Sequence, residues 1–336
     1  MYATLASYTT FEKEHYHEDK ASFMFVYIGP LREYMRDSIQ QVRLWNKTTP
    51  IYICVNRMHE NKVLIQEFES HGHVKIVYLE ELSSTEHHTQ FQQQYTNMER
   101  NKFWKYAMER FFYVEECMKK YQLKHVFHHE FDNMVYFRAD ELVDSCATKG
   151  KILVPSDNET RFIAGSCYIP SAELLSPLNQ YFAKHAKTQN EMDMMMDFYR
   201  QNPDKMEGLP VVPPEYTHVL KPMEGDLVSR PSRLSETTRH YGGIFDAAAI
   251  GQYFGGIDTI HNPGNSDGFV STHSAFQVNK LHFQWRRSQH LFQPWVSADQ
   301  ENWYPIYNLH IHNKNMKRWL SDVDEMKAHL PNVKMA

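Results

Sequence analysis

The segment LKHVFHHEFDNMVYF (residues 123–137) decides the fold class, because it begins as a buried strand and contains two acidic residues. His128, Glu130 and Asp132 occupy alternate positions, so on an extended strand their side chains would share one face. Two carboxylates that end a buried strand make little sense as packing, because unpaired buried charge costs free energy. At the carboxyl end of a parallel strand they would lie where open α/β sheets bind ligands. The alternative interpretation is a solvated loop with incidental acids.

The segments around this one predict strands that alternate with helices. Five short runs read as strands: 22–28, 51–55, 74–79, 151–155 and 161–169. Amphipathic stretches between and after them read as helices: 31–45, 99–122, 139–147, 171–186 and 190–201. Such alternation implies crossover connections, so we expect an α/β fold with a mostly parallel, Rossmann-like sheet flanked by helices. The apolar stripe of the helix at 99–122, which includes Phe103, Ala107 and Phe111, predicts packing in the core.

Composition excludes several classes of protein. The chain has 336 residues and a formal net charge of −5, so broad binding to a nucleic-acid backbone is not expected. No run of about 18 apolar residues is present, so no integral membrane segment is predicted. The first twenty residues lack the basic and apolar regions of a signal peptide. Four scattered cysteines without Cys-x-x-Cys spacing favour a reducing, cytoplasmic setting: Cys54, Cys117, Cys146 and Cys167.

A second chemical segment, YNLHIHNK (residues 307–314), lies near the C-terminus. On a strand, Asn308, His310 and His312 would share one face. A histidine there could join the carboxylates on one ion, and oxygen ligands favour Mg²⁺ or Mn²⁺. Lys314 could reach a phosphate just beyond. The alternative is a pair of histidines with a purely structural role.

A third segment, FDAAAIGQYFGGID (residues 245–258), predicts a short helix that ends at the Gly-Gly pair. Asp246 stands where an N-cap would be, so capping and catalysis are both open for it. Gln252 and Tyr253, on one turn, could present an amide and a hydroxyl to a sugar.

Three further features complete the set of candidates. Gly165, inside a predicted strand, indicates close approach of a ligand or of another backbone. Glu191 and Asp193 begin a helix, where acids favourably meet the helix dipole, although Asp193 could instead face a cleft. Residues 202–243 read as a long connection that is rich in Pro, Gly and charge, and such connections are usually functional or mobile.

The order of these segments resembles that of the nucleotide-diphospho-sugar transferases of the GT-A fold. The resemblance rests on FVYIGP (25–30) followed by a helix and IYICVNR (51–57), and on KFWKYAMERFF leading to HHEFDNMVYF (102–137). NLHIHNK (308–314) looks like the C-terminal histidine-and-lysine element of glycogenin-like members, and AGSCYI (164–169) looks like the strand after the acidic motif. The usual Asp-x-Asp motif stands here as Glu-x-Asp, at residues 130 and 132.

The resemblance implies roles for the matching positions. The donor-binding residues would be Ile28, Gly29, Pro30, Asn56, Arg57, Asp132 and Lys314. The ligands of Mn²⁺ or Mg²⁺ would be Glu130, Asp132 and His312. Asp246 or Asp193 would be the base that activates an acceptor hydroxyl if the reaction inverts configuration.

We therefore expect a glycosyltransferase that moves a sugar from a nucleotide-sugar donor, with a UDP-sugar as the first candidate, to a glycan or other hydroxyl acceptor. The expected organisation is a lead-in (1–21), one GT-A-like domain (22–315) and a C-terminal helix (316–336). The domain would comprise a nucleotide-binding half (22–137) and an acceptor half (138–315) that contains the loop at 202–243. The rival interpretations are a metal-dependent hydrolase that uses His128, Glu130, Asp132 and His312, and a non-catalytic nucleotide- or glycan-binding module.

Overall fold

A seven-stranded sheet lies at the centre of the fold in the computed structural model of the chain. The structure describes residues 21–95, 102–185, 190–217, 234–257, 267–288, 290–322 and 333–335. The sheet contains β1 (Ser22–Tyr27), β2 (Ile51–Val55), β3 (Val74–Tyr78), β4 (Val126–His129), β6 (Ile152–Pro155), β7 (Ser166–Ile169) and β8 (Met206–Leu209). Their order is β3-β2-β1-β4-β7-β6-β8. Only β7 runs against its neighbours, so the sheet is mostly parallel, as predicted.

Helices cover both faces of this sheet. They are α1 (Met35–Trp45), α2 (Lys62–Ser70), α3 (Glu86–Tyr95), α4 (Lys102–Tyr121), α5 (Ala139–Ala147), α6 (Ala172–His185), α7 (Glu191–Gln201) and α8 (Thr238–Tyr241). Helix α9 (Ala249–Gly255) lies instead in a separate C-terminal core. Successive residues of β1 point to opposite faces of the sheet and enter different cores. Met24 packs with α3, α4 and α6, and Phe25 packs with α1, α2 and α5. Burial on both faces explains why the central strands read as continuous apolar runs. The predicted α/β fold is therefore confirmed.

Two smaller sheets complete the C-terminal part. One contains β9 (His282–Ser288), β10 (Leu291–Ser297), β11 (Tyr304–Pro305) and β13 (Val333–Met335). The other pairs β5 (Asn133–Val135) with β12 (Asn308–His310) in antiparallel register, so that His310 lies opposite Asn133. This pairing joins the acidic segment directly to the histidine segment.

The acidic segment differs from the single strand that the sequence predicts. β4 ends at His129, and Glu130 and Asp132 belong to a tight turn in which the Asn133 amide donates to the Glu130 carbonyl at 3.0 Å. His128 therefore does not share a face with the two acids. Its imidazole is fully buried, with Nδ1 3.0 Å from the Met24 carbonyl and the ring 5.5 Å from that of Phe111 on α4.

Three other predictions need correction. The stretch 202–243 is not a continuous loop, because β8 and α8 lie within it; residues 218–233 are outside the described residues. The stretch 316–336 is not one helix, because Met316–Trp319 forms a single 3₁₀ turn and β13 pairs in parallel with β9; residues 323–332 are outside the described residues. Phe103 is not a core residue but is 72% exposed.

Among the described residues, no helix is long and apolar enough to cross a membrane.

A buried ionic cluster fastens α3 to α4. The His88 ring is fully buried and stacks on Phe112, with Nδ1 2.7 Å from Glu116 Oε1 and Nε2 3.5 Å from Glu109 Oε1. Burial alone would lower the pKa of His88, but the two carboxylates outweigh it and raise the pKa to about 9. The charged imidazole is therefore favoured in the folded state.

We predict that this cluster makes stability depend on pH in the alkaline direction. Because the folded pKa is about 9 and the unfolded value is 6.5, the contribution is fully present below pH 6.5 and is lost as the pH rises to 9. The loss should be about 3 kcal/mol. Urea unfolding at pH 6 and pH 9.5 measures it. His88→Gln should abolish most of this pH dependence, and the exposed control His59→Gln should retain it; equal slopes in all three proteins would contradict the assignment.

Candidate functional site

A cavity of about 660 Å³ opens at the carboxyl ends of β1 and β4. Its floor is formed by Ile28 after β1 and by the turn Glu130–Asp132 after β4. Its walls come from the first turns of α4, α7 and α9 and from the segment 310–314. Both the volume and the position are typical of ligand sites in open α/β sheets.

Two carboxylates and one imidazole converge on this floor. His310 Nε2 lies 3.2 Å from Asp132 Oδ1 and 3.3 Å from Glu130 Oε2. One ligand-type atom from each of the three residues lies within 4.8 Å of the others. His312 lines the same cavity, but the histidine in this group is His310. The structure thus places His310, where the sequence leads us to expect His312, beside the two carboxylates, because β12 ends at His310 and the chain turns at His312 and Asn313.

Each carboxylate also binds a cation through its other oxygen. Lys314 Nζ contacts Asp132 Oδ2, and Arg110, from α4, contacts Glu130 Oε1. Burial would raise the pKa of Asp132, but the positive charge of Lys314 and the neighbouring His310 hold it well below its usual range. Asp132 therefore stays ionised.

These residues fit a divalent cation. Carboxylate oxygens and an imidazole nitrogen are ligands that Mn²⁺ accepts, and the oxygens also suit Mg²⁺. Lys314 and Arg110 occupy only the outer oxygens, so Oδ1 of Asp132 and Oε2 of Glu130 remain directed at His310 Nε2. Carboxylates that ligate metals are commonly held by hydrogen bonds from neighbouring groups, and Lys314 and Arg110 would supply such bonds here.

Gly165 makes room for the histidine. A Cβ atom at this position would lie 2.5 Å from Cε1 of His310 and 2.9 Å from the side-chain nitrogen of Asn133. The Gly165 carbonyl accepts from Asn133 Nδ2 at 2.8 Å and from the Glu130 amide at 2.8 Å. The close approach that the sequence indicates is thus to the His310 ring and to Asn133.

Asp246 stabilises the local backbone. Its carboxylate accepts from the amides of Ile250, Gly251 and His310 at 2.9, 2.8 and 2.9 Å. Burial raises its pKa in spite of these hydrogen bonds, and it does not line the cavity. The helix itself begins after Ala248, yet Asp246 still satisfies its first free amides. Of the two roles left open by the sequence, the geometry supports capping.

Several other candidate residues support the site from outside the cavity. Asn56 Oδ1 accepts from the Gly29 amide at 2.8 Å, and Arg57 pairs with Glu81 and lies 4.2 Å above the ring of Tyr78. These three candidates and Pro30 do not line the cavity.

The candidates on α7 and α9 are divided between the cavity and its surroundings. Asp193 lies in the first turn of α7, and its amide donates to Oδ1 of the N-cap residue Asn190 at 3.0 Å. Tyr253 is 4% exposed in the C-terminal core, 6.0 Å from the ring of Phe283. Gln252 does line the cavity, with Nε2 3.0 Å from His312 Nδ1.

Sequence reasoning missed four charged residues of the cavity: Arg110, Asp157, Arg161 and Glu191. Arg110 was detectable, because it falls at the spacing of the apolar stripe of α4, between Ala107 and Val114. Glu191 resembles an ordinary first-turn acid, but its side chain is 7% exposed and lies 3.9 Å from Arg110. Asp157 and Arg161, in SDNETR, look like surface residues and give no signal.

No protein-family model and no curated protein matches the sequence. Among solved structures, the chain is similar to mouse xyloside xylosyltransferase 1, with 9% identity, coverage of 57% of this chain and 85% of that one, and a TM-score of 0.42. The PaToxG glycosyltransferase shows 14% identity, coverage of 55% and 69%, and a TM-score of 0.41. The galactosyltransferase LgtC, in complex with donor and acceptor sugar analogues, shows 10% identity, coverage of 56% and 73%, and a TM-score of 0.41.

We predict that Gly165→Ala destabilises the fold by about 1–3 kcal/mol, because the new methyl group displaces the His310 ring or Asn133. Gly208→Ala is the matched control, because a Cβ there meets only Phe162, at 3.8 Å. The control should change stability by less than about 0.5 kcal/mol. Urea unfolding of both variants measures the difference, and equal stability of the two would disprove the steric role of Gly165.

Proposed function

We propose that this chain is a GT-A-fold glycosyltransferase that transfers a sugar from a nucleotide-sugar donor, a UDP-sugar first among them, to a hydroxyl acceptor with the help of Mn²⁺ or Mg²⁺. The observation that carries the proposal is the convergence of Glu130, Asp132 and His310 beside Lys314, inside a cavity at the carboxyl ends of parallel strands. Metal-type ligands next to the ammonium group of Lys314 suit a diphosphate, whose departure requires stabilisation of negative charge.

The donor would occupy the β1 side of the cavity. Ile28 supplies an apolar contact there for the nucleoside. Gly29 and Pro30 shape the loop after β1, and Asn56 fixes that loop through its bond to the Gly29 amide. Arg57 pairs with Glu81 and does not line the cavity, so it would contact the nucleotide only from outside the cavity.

The cation would be held by Glu130, Asp132 and His310, and when bound it would neutralise the diphosphate and favour departure of the nucleoside diphosphate. Lys314 holds Asp132 ionised and can donate a hydrogen bond to a phosphate oxygen. Arg110 fixes the outer oxygen of Glu130. The longer glutamate side chain is thereby held in a defined position.

The acceptor would occupy the side formed by α4, α7 and α9. Gln252 and His312 line this side, and Tyr253 supports it from the core. Asp246 and Asp193 would act as positioning residues, through the amides of residues 250, 251 and 310 and through the cap of α7. The Glu191 carboxylate lines this side and would be available to an acceptor hydroxyl, since its Oε2 makes no hydrogen bond with the described residues. We also assign the reaction to the cytoplasm, because all four cysteines are buried free thiols that suit a reducing compartment.

The hydrolase alternative loses support because His128 faces α4 and does not join the acids. No specific observation favours the non-catalytic module.

We predict that Asp132→Asn lowers turnover by roughly 100-fold or more, because it removes several kcal/mol of charge stabilisation from the site. The assay measures release of UDP from UDP-glucose, UDP-galactose, UDP-xylose and UDP-N-acetylglucosamine, with Mn²⁺ or Mg²⁺ and with a chelator. Asp140→Asn, an exposed acid paired with Arg138, is the control and should retain wild-type turnover. Unchanged turnover of Asp132→Asn would refute the metal assignment.

A further inference from the structure

The mouth of the cavity carries three aromatic side chains from the start of α4: Phe103, Trp104 and Tyr106, which we call the aromatic rim. Phe103 is 72% exposed and Tyr106 is 39% exposed. The described part of the chain exposes three large hydrophobic side chains. Two of them are Phe103 and Tyr106, and the third is Val63 on α2. Exposed apolar groups concentrated at one opening indicate a binding surface.

The polar wall of the same cavity consists of Asp157, Arg161 and Glu191. Arg161 donates two hydrogen bonds to the Asp157 carboxylate, from Nε to Oδ1 at 2.9 Å and from Nη2 to Oδ2 at 2.5 Å. Asp157 and Glu191 are only 3% and 6% exposed. Charged groups at this depth are costly unless a partner satisfies them.

One oxygen of this wall has no partner among the described residues. Oε2 of Glu191 is buried and makes no hydrogen bond with them, whereas Oε1 lies 3.9 Å from Arg110. A buried acceptor that lines a cavity and lacks a donor is satisfied when a ligand supplies one. A ligand hydroxyl, which can donate to this oxygen, would satisfy it.

The rim and the wall belong to one surface. Arg110, which contacts Glu191, follows Tyr106 by four residues on α4, so the two side chains share a face of the helix. A pyranose ring is complementary to this surface, because it has an apolar face and several hydroxyl groups. Its C–H face packs on aromatic rings, which carry negative charge on their faces, and its hydroxyls bind carboxylates and guanidinium groups.

We propose that the aromatic rim and the polar wall form a saccharide subsite, in which an acceptor sugar stacks on Phe103 and Tyr106 and donates a hydroxyl to Oε2 of Glu191. This inference rests on the proposed function, because the donor would occupy the opposite, metal-binding side of the cavity. It assigns the acceptor to carbohydrates, ahead of protein or lipid hydroxyls.

Saturation-transfer NMR on the full chain with UDP and Mg²⁺ tests the subsite, with maltose, lactose and cellobiose as probes. We expect saturation transfer to the ring C–H protons of at least one disaccharide. We expect its Kd to rise at least about fivefold in Phe103→Ala, because an exposed stacking partner is lost. Val63→Ala, which truncates an equally exposed apolar side chain away from the cavity, should leave the Kd unchanged.

The outcomes separate this inference from the proposed function. If UDP binds but none of the three disaccharides does, the saccharide subsite is wrong and the proposed function stands. The subsite is also wrong if Phe103→Ala binds the disaccharide as tightly as wild type. If a disaccharide binds in a Phe103-dependent manner but UDP does not bind, the subsite stands and the nucleotide-sugar proposal fails.

Discussion

The three-residue pairing of β5 with β12 is the constraint on which the candidate site depends. It sets His310 opposite Asn133, and the Ile311 amide extends it by donating to the Asp132 carbonyl at 2.7 Å. Lys314 and Asp132, 182 positions apart, thereby come into contact. Three residue pairs stabilise too little to offset the conformational entropy that is lost when so long a loop is closed. The pairing therefore depends on the C-terminal core, in which Leu309 and Ile311 are fully buried. Buried asparagines reinforce it, because Asn308 Nδ2 donates to Asn133 Oδ1 at 2.8 Å.

Charge balance is the second property of the site. Glu130 and Asp132 are matched by Arg110 and Lys314, so these four side chains together carry no net charge. Each acid gives one oxygen to a cation and keeps the other near His310. A divalent ion would make the cluster positive, which suits the anionic diphosphate of a nucleotide sugar. The floor of the cavity therefore favours the donor, and the aromatic rim at its mouth favours a less charged molecule.

The local elements were predictable, because their signals lie within short stretches of sequence. The apolar run of β2 and the amphipathic pattern of α5 give their bounds directly. The site was predictable only in part. The acids were recognised, but the choice between His310 and His312 depends on where β12 ends, which tertiary pairing decides. Arg110 and Glu191 were missed because a charge on a helix reads as solvated until the packing of α4 against α7 is known. The strand β8 was missed because MEGL carries no alternation and pairs only with a distant partner, β6.

The central claim is that Glu130, Asp132 and His310 form the ion site that receives a nucleotide diphosphate. Anomalous diffraction at the manganese edge, from crystals grown with Mn²⁺ and UDP, tests it most directly. We expect one anomalous peak within ligand distance of Glu130, Asp132 and His310, with the UDP diphosphate next to it and Lys314 beside the diphosphate. A peak elsewhere, or UDP bound away from this turn, would contradict the account.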